Sequence, residues 1–458
     1  MRVIICGAGQ VGYNIAAYLS RENNDVTVID KQQDLISKIN DTLEVNAIVG
    51  HASNPDVLNQ AGAKDADMMI AVTQSDEVNM VACQIGHSLF GIPKKIARVR
   101  EQSYLAPEWS NLFSRAHMPI DIIISPEEVI ANDIYQRLAV PGTTFVNSLA
   151  DGLAYLVGVI CEDDCPIVNT PIEQLKNLFP DLNFNVIAYR RQNRALIPDG
   201  RDFLEVGDEV FFVVSKEHLR RTLGIFGHEE KEAQRIIIAG GGNIGTGLTR
   251  LLRERSRGTQ LKIIDRNPTR TQILSNKFED VIIIHGSALE RSILDEANIE
   301  YADTFVAVTN DDESNILGSL LAKQYGCNRV ITLVSNDVYS PLVGPLGVDA
   351  MVSPRSLIVS TIMQHVRRGR IRGLYNLRDG FAEVLEAEVS ENSNIINETV
   401  EELNMPHEIV IGGIVRDNSF ISPSPETAIR AGDRVIILAS RAQIHNVEKM
   451  FSVQVDLF

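Results

Sequence analysis

At ordinary domain sizes, a chain of 458 residues holds about three or four domains and several sizeable cores. Its composition, 44% hydrophobic and 22% charged, is that of a soluble globular protein. A formal charge of −17 argues against nucleic acid as the main partner, because neutralising phosphates takes an excess of lysine and arginine.

Met1 to Cys6 runs straight into a strand pattern, without the charged-then-apolar leader of a secretory signal. No uninterrupted apolar run approaches the roughly 18 residues that span a bilayer. The expectation is a soluble chain that something else must hold wherever it works at a membrane. The apolar runs 2–6, 26–30, 46–49, 68–73, 95–100 and 121–125 alternate with helical patterns. Such short runs between helices predict βαβ units and a six-stranded, Rossmann-like parallel sheet. A smaller, β-rich α+β module follows from Pro141 and closes on Gly207-Asp208 and the apolar run 209–215.

The pattern then starts again. Arg2-Val-Ile-Ile-Cys-Gly-Ala-Gly-Gln-Val-Gly12 returns as Arg235-Ile-Ile-Ile-Ala-Gly-Gly-Gly-Asn-Ile-Gly245, and Val26-Thr-Val-Ile-Asp30 as Leu261-Lys-Ile-Ile-Asp265. Asp67-Met-Met-Ile-Ala-Val-Thr73 returns as Asp303-Thr-Phe-Val-Ala-Val-Thr309, and the Gly-Asp ending as Gly432-Asp433 before 434–440. A duplication of this kind fixes the architecture. It is an α/β chain with two Rossmann-like, doubly wound parallel-sheet domains, each followed by a small α+β domain. Expected boundaries are 1–138, 139–226, 233–366 and 372–458, with linkers near 139–142, 227–234 and 367–374.

Gly7-Ala8-Gly9-Gln10-Val11-Gly12 follows a strand and opens a helix. The first glycine suits the tight turn, the second lets backbone approach a pyrophosphate, and the third allows close helix–strand packing. The helix N-terminus adds free N–H groups and positive dipole for the phosphates. Asp30, at the end of the second strand, suits ribose hydroxyls and repels a 2′-phosphate, favouring NAD or adenosine nucleotides. Gly240-Gly241-Gly242-Asn243-Ile244-Gly245 and Asp265 repeat the set. One such motif is a weak signal; two, each in strand–turn–helix context with its acid, are a strong one.

Ligands in open α/β sheets sit outside the carboxyl ends of the strands. That nominates Gly50, His51, Ser53, Thr73 and Gln74 in the first copy. It nominates His285, Gly286, Ser287, Thr309 and Asn310 in the second. For His51 an ordinary loop histidine is an equal expectation. At the fifth strand Arg98 and Arg100 stand in the first copy, with Thr332 and Val334 near those positions in the second. A guanidinium near phosphates favours charged ligands, so the first site is expected to take the more highly charged ones.

Five cysteines (Cys6, Cys83, Cys161, Cys165 and Cys327) read as reduced thiols. Cys161 and Cys165 are close in sequence, but no second Cys/His pair with zinc spacing accompanies them. Arg367, Arg368, Arg370 and Arg372 follow a helix, where cations complement the dipole; a docking surface for an acidic partner is the alternative. Neither companion domain carries a recognisable catalytic set, and HExxH, Gly-x-Ser-x-Gly and P-loop lysine patterns are absent. A binding and regulatory role is therefore favoured over the alternative, an NAD-dependent oxidoreductase.

The tandem order, the Gly-Ala-Gly-Gln-Val-Gly start, the Val-Thr-Gln-Ser-Asp-Glu-Val-Asn stretch at 72–79 and the Gly-Asp endings resemble the TrkA family over the whole chain. These are tandem RCK (KTN) proteins, the peripheral subunits of the bacterial Trk potassium-uptake system. The resemblance implies a non-enzymatic cytoplasmic regulator on the inner face of the inner membrane, docked under a potassium-translocating subunit of the TrkH/TrkG type. It implies NAD(H) and ATP/ADP as ligands of RCK-N domains, RCK-C companions, and a homotetramer whose N domains form a ring. By motif match it places NAD contacts at Gly7 to Val11, Asp30, Thr73, Gln74 and Arg98, then Gly240 to Ile244, Asp265, Thr309 and Asn310. The chain departs from many RCK domains at the third strand, with Gly50-His51 and Gly286-Ser287 where Gly-Asp is usual, which bears on nucleotide preference.

Overall fold

A computed structural model describes residues 1–21, 24–192, 194–256, 258–336, 338–366, 371–377 and 381–451. The first sheet consists of β1 (Arg2–Cys6), β2 (Asp25–Asp30), β3 (Asn46–Val49), β4 (Met68–Ala71), β5 (Lys94–Arg98) and β6 (Ile122–Ile124). All its pairs are parallel, in the order β3-β2-β1-β4-β5-β6. This is the doubly wound Rossmann order, which reverses direction between β1 and β4. Strands buried on both faces carry continuous Val/Ile runs, and Val3 to Cys6 and Met68 to Ala71 are buried without a break. The helix Gln10–Arg21 buries Gly12, Ile15, Ala16 and Leu19, one stripe at helical spacing.

The second sheet is antiparallel: β7 (Phe145–Leu149), β8 (Ala154–Ile160), β9 (Phe184–Arg191), β10 (Arg194–Leu196) and β11 (Glu209–Ser215), in the order β10-β9-β11-β8-β7. The third repeats the first with β12 (Arg235–Ala239), β13 (Gln260–Asp265), β14 (Ile282–His285), β15 (Thr304–Ala307), β16 (Arg329–Leu333) and β17 (Ala350–Val352). The fourth repeats the second with β18 (Ile371–Asn376), β19 (Ala382–Glu388), β20 (Ile409–Arg416), β21 (Ser419–Ile421) and β22 (Arg434–Ser440). Residues 371–374, expected in a linker, are thus strand, because β18 pairs along β19 from Ile371. Arg367, Arg368 and Arg370 lie outside the described residues.

The repeated Gly-Asp endings are structural. Gly207 and Gly432 turn with φ of 88° and 84°, a conformation open to glycine. The buried Asp208 and Asp433 that follow bond Arg191 and Arg416, each at 2.7 Å. The two antiparallel sheets share a core in which Leu156, Ile187, Phe211 and Val213 meet Val384, Phe420, Ile436 and Leu438.

By contacts the chain forms two compact units, Met1–Ile130 with Ser353–Val366, and Ala131–Val352 with Arg367–Phe458. The helix Pro354–Val366 therefore belongs to the first unit, and the helix Pro126–Ala139 runs on into the second from Ala131. In the first unit, Pro354–Val366 packs on the helix Gln10–Arg21 and on β6, and the Lys94 ammonium donates to the His365 carbonyl. In the second, Gly247 leaves room for Ala131, the Arg255 guanidinium lies 5.4 Å from the Tyr135 ring centre, and Arg329 donates to the carbonyls of Arg137 at 3.0 Å and Thr143 at 2.8 Å. Lys94 and Arg329 are equivalent residues at the start of β5 and β16. The repeat extends to the way each copy holds a helix of the other.

Candidate functional site

Each parallel sheet presents a glycine loop at the carboxyl end of its first strand, and the three glycines divide the labour. Gly7 and Gly240 turn with φ of 113° and 112°, which only glycine adopts readily. A Cβ on Gly12 would lie 1.8 Å from the Gly7 carbonyl oxygen, and one on Gly245 would lie 2.0 Å from that of Gly240. Those four glycines are required by the fold. The middle ones are not. A Cβ on Gly9 would meet nothing within 4 Å, and one on Gly242 only the Arg270 guanidinium, at 3.8 Å. The space above the middle glycine is an open cradle. Around it, the first-turn amides of Gln10–Arg21 and Asn243–Arg255 have no intrahelical acceptor. A pyrophosphate fits there.

The two acids occupy equivalent places. Asp30 accepts the Ala8 amide at 2.7 Å on one oxygen and the Gln32 amide at 2.9 Å on the other. Asp265, buried, accepts Gly241 at 2.7 Å and Asn267 at 2.8 Å. Each carboxylate therefore ties its glycine loop to the end of β2 or β13. A carboxylate oxygen has more than one lone pair, so acceptor capacity remains for ribose hydroxyls.

At the ends of β4 and β15, Thr73 and Thr309 are held by asparagines that the sequence reading passed over. Asn79, fully buried, accepts the Thr73 amide at 2.8 Å and hydroxyl at 2.7 Å, and donates to the Thr73 carbonyl at 3.2 Å and the Arg98 carbonyl at 2.9 Å. Asn315 does the same for Thr309, donating also to the Leu333 carbonyl at 3.0 Å. Gln74 and Asn310 follow, exposed at the rim. His51 is exposed and meets the Ser53 hydroxyl at 2.8 Å; His285, also exposed, meets the Arg266 carbonyl at 3.2 Å.

The asparagine bonds also fix register, and they correct one expectation. Arg98 corresponds to Leu333, and Arg100, whose amide bonds Asp76 as that of Ser335 bonds Asp312, corresponds to Ser335. Thr332 is instead buried against Ser319 at 2.6 Å, and Val334 is core. Matching apolar runs placed the copies one residue out, and a one-residue slip in a strand exchanges its faces.

In the first copy Arg98 donates to the Thr73 carbonyl at 2.9 Å; burial and the neighbouring Arg100 push it below its usual range. Arg100 pairs with Glu127 at 3.1 Å. Three buried atoms at this end of the sheet, Arg98 Nε, Asp76 Oδ1 and Glu127 Oε2, have no hydrogen-bond partner among the described residues. A buried polar group left so is costly. The second copy has a cation of its own: Arg270 lies 3.9 Å from Asp265 and over the Gly242 cradle. Leu35 stands there in the first copy, so aligning the two copies was enough to find it. Each copy thus has a guanidinium of its own, Arg98 on the Thr73 carbonyl and Arg270 beside Asp265.

No helix among the described residues is long and apolar enough to cross a membrane, and no cluster of three or more His, Cys, Asp and Glu side chains there is fit to hold a metal ion.

Comparison with known proteins joins these features to a family. The TrkA-N domain matches residues 3–126 and 236–354, and the TrkA-C domain 156–227 and 384–452. The chain belongs to the TrkA family. It is 45% identical to the Trk system potassium uptake protein TrkA of Azorhizobium caulinodans and 38% identical to that of Halomonas elongata, with 100% of each chain covered in both cases. Among solved structures it resembles the GsuK channel bound to NAD, with a TM-score of 0.61 and 18% identity over 98% of this chain and 78% of that one. It also resembles the GsuK RCK domain, with a TM-score of 0.60 and 18% identity over 98% and 94%. At such identity the likeness speaks to fold alone.

Proposed function

We propose that this TrkA-family chain is the nucleotide-sensing regulatory subunit of a membrane potassium-uptake system, binding at both Rossmann sites. The observation that carries the reading is the open cradle at Gly9 and Gly242, beside glycines that the fold does require. Full-length relatives named for potassium uptake supply the process, and a channel of the same fold that binds NAD supplies the ligand class. NAD(H) and ATP/ADP are the proposed ligands. Gly7 to Gly12 and Gly240 to Gly245 take the phosphates, Asp30 and Asp265 the ribose, and Thr73, Gln74, Thr309, Asn310, His51 and Arg98 line the remainder. The four-domain division at 1–138, 139–226, 233–366 and 372–458 is the proposed frame.

The partner is a potassium-translocating membrane subunit of the TrkH/TrkG type, and the chain is peripheral to it on the cytoplasmic face. Assembly into a tetramer with a ring of N domains is supported by apolar side chains exposed at like positions in both copies: Val81 and Leu317 on the fourth-strand helices, and Trp109, Leu342 and Leu346 in the segments after β5 and β16. Exposed apolar surface of this kind marks interaction sites. Nucleotides act by shifting a conformational equilibrium, which they do only through differential affinity for its states.

Titration calorimetry of the full chain with NADH, NAD⁺, ATP and ADP tests the binding part; saturable binding lost on filling both cradles is expected. Co-purification with the membrane subunit tests the partner. A chain that binds none of these nucleotides has a different function.

A further inference from the structure

The first companion domain holds a thiol pair that the nucleotide sites do not use. Cys161 follows β8 and bonds into the Gly207-Asp208 turn: its amide donates to the Asp208 carbonyl at 2.8 Å and its carbonyl accepts the Gly207 amide at 2.8 Å. The chain then reverses, the Cys165 amide donating to the Glu162 carbonyl at 3.1 Å. The reversal brings the two side chains into one apolar cluster, where each thiol perturbs the other.

The surroundings differ for the two sulfurs. Cys161 is sealed in, and both the Cys165 thiol and its burial push its thiol up. Cys165 is buried too but keeps 6% of its surface exposed, and the Ile167 and Val168 amides help to lower its thiol. His228 lies beside it, bonded to Glu230 at 3.1 Å and to the Ile160 carbonyl at 2.9 Å. The Cys161 thiol, those amides and the imidazole hold Cys165 below the ordinary thiol range against its burial. The other cysteines are pushed up by burial, Cys6 to about 12 and Cys327 to about 11, with Cys83 also raised. The duplication provides a control. In the second companion domain the same turn recurs, with the Val389 amide on the Asp433 carbonyl and the Ser393 amide on the Ser390 carbonyl. Valine and serine fill the cysteine positions there, so the turn itself does not need thiols.

We propose that Cys161 and Cys165 form a reversible oxidation site, with hydroperoxide as the oxidant, Cys165 as the attacking thiolate and Cys161 as the resolving thiol. The Cys165 sulfur attacks the terminal peroxide oxygen and the O–O bond breaks. One proton is taken up, the alcohol (or water, from hydrogen peroxide) leaves, and Cys165 becomes a sulfenic acid. The Cys161 sulfur displaces the sulfenic hydroxyl, which departs as water with the Cys161 proton. The net result is one disulfide from two thiols and one hydroperoxide reduced by two electrons. The second step is intramolecular and needs no solvent access at Cys161. A dithiol reductant reverses it by exchange.

Hydrogen peroxide is added to the reduced full-length chain without denaturant, and thiols are counted, the intact mass is measured and peptides are mapped. Free thiols are expected to fall from five to three. The mass drops by two hydrogens, the mapped link joins Cys161 to Cys165, and dithiothreitol restores the start. The pair should react at least about tenfold faster than Cys6, Cys83 or Cys327, as thiolate fraction governs the rate. Cys161→Val, the residue of the second copy, should leave a Cys165 that dimedone traps as sulfenic acid. Cys165→Ser should leave Cys161 unreactive. Five thiols persisting after peroxide, a link between other cysteines, or equal reactivity of Cys161 in the Cys165→Ser variant would overturn the proposal.

Discussion

The middle glycine of the first loop separates fold from binding in a single substitution. An alanine at Gly9 places its methyl where no atom lies within 4 Å, and Gly9 is not among the glycines with positive φ. Stability should be unchanged or raised by about 0.5 kcal/mol, because alanine restricts the unfolded chain. The methyl nevertheless occupies the space through which backbone approaches a pyrophosphate. Losing that approach should weaken NADH at this site by at least about tenfold, or about 1.4 kcal/mol. Gly12→Ala is the contrast. Its methyl overlaps the Gly7 carbonyl oxygen at 1.8 Å, and such overpacking costs about 1–3 kcal/mol or more. Calorimetry counts NADH sites and thermal unfolding reads stability. Gly9→Ala should lose one of two binding events with Tm intact, whereas Gly12→Ala should lose Tm as well. The reasoning fails if Gly9→Ala destabilises the chain as Gly12→Ala does, or if it binds NADH at both sites with native affinity.

Asn315→Ala removes a fully buried side chain that holds the ends of β15 and β16. Urea unfolding should show a loss of about 2–3 kcal/mol, since backbone groups are left buried without partners. Arg270→Gln should weaken ADP at the second site while leaving adenosine, which has no phosphate to meet the guanidinium, unchanged; calorimetry in the Gly9→Ala background reads both. His228 is raised from its ordinary 6.5: burial opposes the charge, but the Glu230 carboxylate and Ile160 carbonyl outweigh it. A raised pKa gives stability that is full below the unfolded value and lost as pH rises through the folded one. Unfolding measured across neutral pH should therefore fall less steeply with rising pH in His228→Gln than in the native chain.

Much of the fold was legible because its signals are local. Continuous Val/Ile runs mark strands buried on both faces, and the return of the glycine loop at Gly240 exposes the duplication. The loop glycines at 7, 9 and 12 sit as the spacing requires, and their three roles can be told apart by what a Cβ would strike. What stayed hidden depends on contacts between distant segments. The exchange of Pro354–Val366 and of the helix from Ala131 onward rests on contacts between distant segments, the Lys94 and Arg329 bonds among them, which no periodicity reveals. Asn79 and Asn315 look like ordinary helix residues until the strand ends they bond are in place. The match of Arg98 to Leu333 turned on a one-residue register that apolar content does not encode. Asp30 and Asp265 were read as ribose acceptors, and their bonds to the loop amides add a structural duty that residue type alone leaves open.

The central claim is that the two cradles, acting through nucleotide, control potassium movement through a membrane partner. Potassium flux in vesicles holding the membrane subunit and this chain, with and without NADH or ATP, measures it, using native chain against Gly9→Ala/Gly242→Ala. Flux that responds to nucleotide with the native chain and is indifferent to it with the double variant is the predicted result. Flux that ignores nucleotide throughout, or responds equally with both cradles filled, would contradict the account.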